Sequence, residues 1–183
     1  MITIVGCGAL GSLLAARLIE GGEQVQALQR KGKQLNALQQ NGITIEGDKT
    51  AAIKNFRLKA VSNDPAQLKS SRLIIILVKA YDTDKVYPAR HLLEKDSVML
   101  TLQNGLGNAE KLSRMFGAEN LMAGTATYGA YSISPGILAS LSSRISLYRA
   151  TTGEERADPN PRHFSRKVGK ITSNPIVSFS CAS

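Results

Sequence analysis

Ile2-Thr3-Ile4-Val5-Gly6-Cys7-Gly8-Ala9-Leu10-Gly11 opens the chain and sets the frame for everything after it. Residues 2–5 are a β-branched run, which predicts a buried strand. Gly6-x-Gly8-x-x-Gly11 follows at once. Leu10, Leu13, Leu14 and Leu18 then recur at helical spacing until Gly21-Gly22 stops the helix. Residues 24–29 supply a second strand, with Val25, Ala27 and Leu28 as its apolar members. Strand, glycine turn, helix and strand in this order make a βαβ unit. Gly6 permits the tight turn, Gly8 lets a pyrophosphate approach the backbone, and Gly11 lets the helix pack near the strand. The first N–H groups of the helix lack intrahelical partners and face the phosphates. A lone glycine pattern would carry little weight. Directly after a strand and at the start of a helix, it predicts a dinucleotide cradle.

The end of the second strand discriminates between dinucleotides. NAD-binding versions place Asp or Glu there, on the ribose 2′-hydroxyl. This chain has Leu28-Gln29-Arg30-Lys31, with Lys33 nearby. A guanidinium at Arg30 can hold a 2′-phosphate in bidentate fashion, which favours NADPH over NADH.

Farther along, residues 31–40 predict a short surface helix. Residues 43–46 and 56–61 read as short strands, a hairpin or an edge excursion. Leu73 to Val78 is a continuous apolar run, the mark of a strand buried on both faces of a parallel sheet. A helix over 83–93, a strand over 97–102, the turn Gln103-Asn104-Gly105-Leu106-Gly107, a helix over 108–115 and a strand over 121–127 follow. The alternation predicts an α/β fold with a Rossmann-like doubly wound, mostly parallel sheet over residues 1–138. Residues 139–183 are basic and Ser-rich, contain Pro159-Asn160-Pro161, and predict a loosely ordered tail.

Two further positions fall at carboxyl ends of strands, where ligands bind in open α/β sheets. Lys79 follows the run 73–78. It is either a point charge for a phosphate or carboxylate, or a lysine whose stem covers the strand end. Asn104 follows the next strand. Its amide suits a ribose or substrate hydroxyl, and Asn-Gly is equally a turn dipeptide. His91 and His163 lie far apart with no ligand set at metal spacing, so no metal is expected. Cys7 reads as a small loop residue, because no partner base is visible for a nucleophile.

The 183 residues are 43% hydrophobic and 20% charged, ordinary for a globular domain. The net charge of +9 comes with only 5% aromatics, a poor stacking surface, so a solvated basic surface is preferred to a nucleic-acid partner. No apolar run approaches membrane-spanning length, and no membrane partner is expected. Cys7 and Cys181 cannot build a disulfide framework. The start lacks the charged and long apolar segments of a secretory leader, so a cytoplasmic location is expected.

Together these segments resemble the ketopantoate reductase family (2-dehydropantoate 2-reductases). The resemblance rests on residues 2–11, on Leu77-Val78-Lys79-Ala80, on Gln103-Asn104-Gly105-Leu106-Gly107, on Met122-Ala123-Gly124-Thr125-Ala126-Thr127-Tyr128-Gly129-Ala130 and on Pro135-Gly136. It implies NADPH-dependent reduction of 2-dehydropantoate to pantoate, in the pantothenate route to coenzyme A. It also implies that Gly6, Cys7, Gly8, Ala9, Leu10 and Gly11 cradle the pyrophosphate and that Arg30 holds the 2′-phosphate. Lys79 and Ala130 would then lie near the cofactor, and Asn104 would touch both cofactor and the small 2-oxoacid substrate. Family members continue into a helical domain that supplies a lysine acid and a substrate-positioning glutamate. Residues 139–183 do not resemble it, and none of Lys167, Lys170, Glu154 or Glu155 carries its motif, so the catalytic residues are unassigned. The expectation is a chain holding mainly the cofactor-binding half, associating with copies of itself through uncovered apolar surface. A dinucleotide-binding regulatory module, or a reductase for another 2-oxoacid, are the alternatives.

Overall fold

The computed structural model describes residues 1–46, 53–149 and 177–178. Strand β1 (Ile2–Val5) leads through the glycine turn into helix α1 (Ala9–Glu20), and β2 (Val25–Leu28) returns beside β1 in parallel register, Ile2 opposite Val25. Helix α2 (Lys33–Asn41) and the antiparallel hairpin β3 (Ile43–Glu46) and β4 (Lys54–Phe56) come next. Then follow β5 (Val61–Ser62), β6 (Ser71–Ile76), a 3-10 helix (Ala80–Leu92) and β7 (Leu93–Thr101). Helix α3 (Asn108–Phe116), the long strands β8 (Leu121–Ser134) and β9 (Ile137–Arg149), and β10 (Val177–Ser178) complete the described chain.

One sheet holds all ten strands. Six of them, in the order β5-β2-β1-β6-β7-β8, run parallel, the doubly wound order of a Rossmann-like fold. The central strands are buried on both faces and alternate between two cores. Leu73 and Ile75 of β6 join the core around α1, while Ile74 and Ile76 join the core beneath the 3-10 helix and α3. At the amino end of the sheet, Thr3, Gln26 and Ser71 satisfy one another: the Thr3 and Ser71 hydroxyls lie 2.7 Å apart, and Gln26 donates to Thr3 at 2.9 Å. That buried trio ties β1, β2 and β6 together, and a one-residue slip would leave its polar groups unpaired.

The sheet curls around α1. β4 and β5 are its opposite ends, yet only residues 57–60 join them, a reach of at most about 18 Å from Phe56 to Val61. Ile43, Ile45, Phe56 and Leu138 from the far end therefore share a core with Leu13, Leu14 and Leu18 of α1. Seven residues of α1 are buried, including Gly11, Ser12, Ala15 and Ala16, because sheet surrounds the helix on more than one side.

Three segments differ from the sequence reading. The helix over 83–93 is a 3-10 helix rather than an α-helix. Its buried residues Thr83, Val86, Ala89 and Leu92 recur every third position, the 3-10 period, and Pro88 has no N–H to give an α-helical ladder. The strand over 56–61 divides: Phe56 ends β4 on one edge and Val61 begins β5 on the other. Strand β9 carries the sheet past the boundary drawn at 138, to Arg149. Its sequence alternates, Leu141, Ile145 and Leu147 against Ser142, Arg144 and Ser146, which is strand patterning despite the serines. The loosely ordered tail is otherwise a matter for residues 150–176 and 179–183, which lie outside the described residues.

Candidate functional site

Strand order changes direction at β1: β2 lies on one side of it, β6 on the other. The crevice outside the carboxyl ends at such a point is where open α/β sheets bind ligands. The glycine turn, Arg30, Lys79 and Asn104 all follow the carboxyl ends of adjacent parallel strands, β1, β2, β6 and β7 in turn. The fold therefore brings four of the sequence-predicted positions to one edge. Ala130 lies on β8 beyond Ala123, the last residue of that strand paired with β7, opposite Ser140 of β9.

The three glycines of the turn meet different surroundings. Gly6 has φ +94, and a Cβ there would lie 2.8 Å from the backbone N of Val78 in the loop after β6. At Gly11 a Cβ would lie 2.2 Å from the carbonyl oxygen of Gly6. Gly8 is exposed and has nothing within 4 Å of where a Cβ would stand. Thus Gly6 and Gly11 hold the turn closed against its neighbours, and Gly8 leaves its outer side open. Helix α1 begins here with no acidic residue in its first turn and no side-chain cap at Gly8, so no carboxylate of its own competes for the positive end of the helix. An open glycine, early N–H groups and an uncompensated helix terminus fit a pyrophosphate.

Cys7 is gripped on both sides. Its N–H donates to Oε1 of Gln29 at 2.8 Å, and its carbonyl accepts from Nε2 of Gln34 at 2.8 Å and from the Ser12 hydroxyl at 3.1 Å. The Cys7 N–H is spent within the protein. Gln34 also accepts from the N–H of Gly136 at 3.0 Å, tying the β8–β9 turn to the glycine turn. Gln29, next to Arg30 at the end of β2, has its side chain turned to the glycine loop. Burial pushes the Cys7 thiol up to about 12, which overrides any lowering by the helix terminus and keeps it protonated at neutral pH. Iodoacetamide at about pH 8 is therefore expected to leave Cys7 unlabelled in the folded chain and to label it in urea, as read by peptide mapping. Rapid labelling of Cys7 in the folded chain would contradict this burial.

Arg30 is largely solvent-facing, its side chain 76% exposed, and its Nη1 lies 3.4 Å from Oδ2 of Asp82 in the 3-10 helix. Lys31 and Lys33 are exposed beside it. Lys79 is exposed at the start of the 3-10 helix, where its carbonyl accepts from the N–H of Asp82 at 2.8 Å. Asn104 is exposed, and its carbonyl accepts from Nδ2 of Asn108 at 3.0 Å. A polar chain sets these two loops against each other. Gln103 donates to the carbonyl of Val78 and to the Thr83 hydroxyl, both at 2.9 Å, and Thr83 donates to Oδ1 of Asn108 at 3.0 Å. Gln29, Gln34, Gln103, Thr83 and Asn108 were not picked out from the sequence. Only the positions of Gln29 and Gln103, beside Arg30 and Asn104, hinted at them. Among the described residues no group of three or more His, Cys, Asp and Glu is placed to hold a metal ion, and no helix is long and apolar enough to cross a membrane.

The model of the family described as ketopantoate reductase PanE/ApbA matches residues 2–146. The chain belongs to the ketopantoate reductase family. A 2-dehydropantoate 2-reductase of Halobacterium salinarum is 31% identical over 138 residues, which are 75% of this chain and 45% of that protein. The crystal structure of a 2-dehydropantoate 2-reductase from Geobacter metallireducens GS-15 superposes with a TM-score of 0.79 at 26% identity, over 98% of this chain and 57% of that one. A D-mandelate dehydrogenase solved with NADH and anilino(oxo)acetate shares the fold, with a TM-score of 0.82 at 21% identity over 98% of this chain and 57% of that one. This ketopantoate reductase family chain spans less than half the length of the curated relative and somewhat more than half of the solved ones.

Proposed function

We propose that this chain binds NADPH and carries the cofactor-binding half of a reductase for 2-dehydropantoate. The observation that carries the reading is the pairing, at one sheet edge, of an open glycine turn with the exposed guanidinium of Arg30 where an NAD-binding fold would present an acid. The coarser part, a nicotinamide dinucleotide, is also supported by the neighbour solved with NADH. When bound, the nicotinamide supplies a hydride to a ketone carbon. The residues of this chain bind and orient. The N–H groups at the start of α1 hold the pyrophosphate, Arg30 holds the 2′-phosphate, Lys79 offers a point charge and Asn104 an amide to cofactor and 2-oxoacid. The polar chain through Gln103, Thr83 and Asn108 keeps the last two loops in register.

The test is to add 2-dehydropantoate to the NADPH complex and follow the absorbance of the reduced nicotinamide. Tight NADPH binding, with any absorbance lost matched by pantoate formed, is the result expected of the cofactor-binding half. No binding of NADPH, or turnover of other 2-oxoacids but not of 2-dehydropantoate, would overturn the reading.

A further inference from the structure

The end of β2 has no carboxylate in sequence, but it has one in space. Asp82 belongs to the 3-10 helix after β6, and its Oδ2 lies 3.4 Å from Nη1 of Arg30. β2 and β6 flank β1, so this ion pair joins the two loops on either side of the glycine turn. Asp82 is buried, its side chain 11% exposed, and is fixed by Lys85 Nζ at 2.6 Å on its other oxygen. Arg30 is the exposed partner, held at the long end of ion-pair range.

We propose that Asp82 sets the choice between nucleotides with and without a 2′-phosphate, by acting on Arg30. The inference rests on the NADPH reading above. A phosphate oxygen gripped by the fork stands about 3 Å from one guanidinium nitrogen. With Asp82 on the same fork, phosphate and carboxylate fall within about 9 Å of each other, on the order of one Debye length at physiological salt. Their repulsion is therefore only partly screened. Asp82 also holds Arg30 in the free protein, and a phosphate has to draw it away. Both effects weaken binding of a 2′-phosphorylated nucleotide, and neither touches a ribose 2′-hydroxyl in the same way. Lys85 works in the opposite sense, since it neutralises part of the Asp82 charge.

The test compares dissociation constants of NADPH and NADH for the full chain, Asp82→Asn and Lys85→Gln. Asp82→Asn is expected to tighten NADPH about five- to tenfold, as one unit of repulsion is removed, and to leave NADH within about twofold. Lys85→Gln changes an exposed side chain, so folding is preserved even if Asp82→Asn misfolds; it is expected to weaken NADPH a few-fold and spare NADH. Unchanged NADPH/NADH ratios in the variants that fold, or weaker NADPH binding in Asp82→Asn, would overturn the proposal while leaving the NADPH reading in place. A parent chain that binds neither nucleotide would overturn both.

Discussion

Gly11→Ala is expected to destabilise the chain by about 3 kcal/mol or more and to abolish nucleotide binding with it. The added Cβ would stand 2.2 Å from the Gly6 carbonyl oxygen, far inside the 3.0 Å that such contacts respect. That oxygen cannot swing away, because the Gly6 N–H donates to the carbonyl of Leu28 and Gly6 itself is pressed onto the Val78 backbone. Relief requires α1 to move off β1, and α1 is surrounded by sheet. Against a total stability of about 5–15 kcal/mol, the loss would be visible as a large fall in the urea midpoint. Gly8→Ala is the control. Its φ of −75 is open to any residue and its Cβ meets nothing, so the urea midpoint is expected to stay put. A methyl on the open side of the cradle should nonetheless weaken nucleotide binding about tenfold or more. Equal stability losses in the two variants would contradict the roles given to these glycines.

Arg30→Ala is expected to weaken NADPH by about 30- to 150-fold and NADH by less than about twofold. A charge-assisted, bidentate grip on a phosphate contributes about 2–3 kcal/mol, and each 1.4 kcal/mol is tenfold. The side chain is 76% exposed and its ion pair with Asp82 is long, so its loss should hardly move the melting temperature. Raising salt should weaken NADPH more steeply than NADH for the parent chain, and equally for the variant. Parallel losses for both nucleotides, or none, would show that Arg30 does not read the 2′-phosphate.

The glycine turn was legible in the sequence because it is made of neighbours. Strand, Gly6, Gly8, Gly11 and helix are consecutive, and each glycine answers a local need. The buried run 73–78 and the Asn-Gly turn were legible for the same reason, and they placed Lys79 and Asn104 at strand ends. What escaped was carried by contacts between distant residues. Gln29 and Gln34 are ordinary polar residues until the fold sets one on each side of the Cys7 peptide. Asp82 became the carboxylate beside Arg30 only when β6 was placed next to β1. The 3-10 helix was partly legible, since Thr83, Val86, Ala89 and Leu92 keep a period of three, but a helical reading tuned to 3.6 passes over it. β9 was missed because serines hid its alternation.

Whether the edge built from the glycine turn and Arg30 is an NADPH site is decided by calorimetric titration of the 183-residue chain with NADPH and with NADH. One NADPH per chain is expected, bound at least about tenfold more tightly than NADH. Failure to bind either nucleotide, or NADH bound as tightly as NADPH, would contradict it.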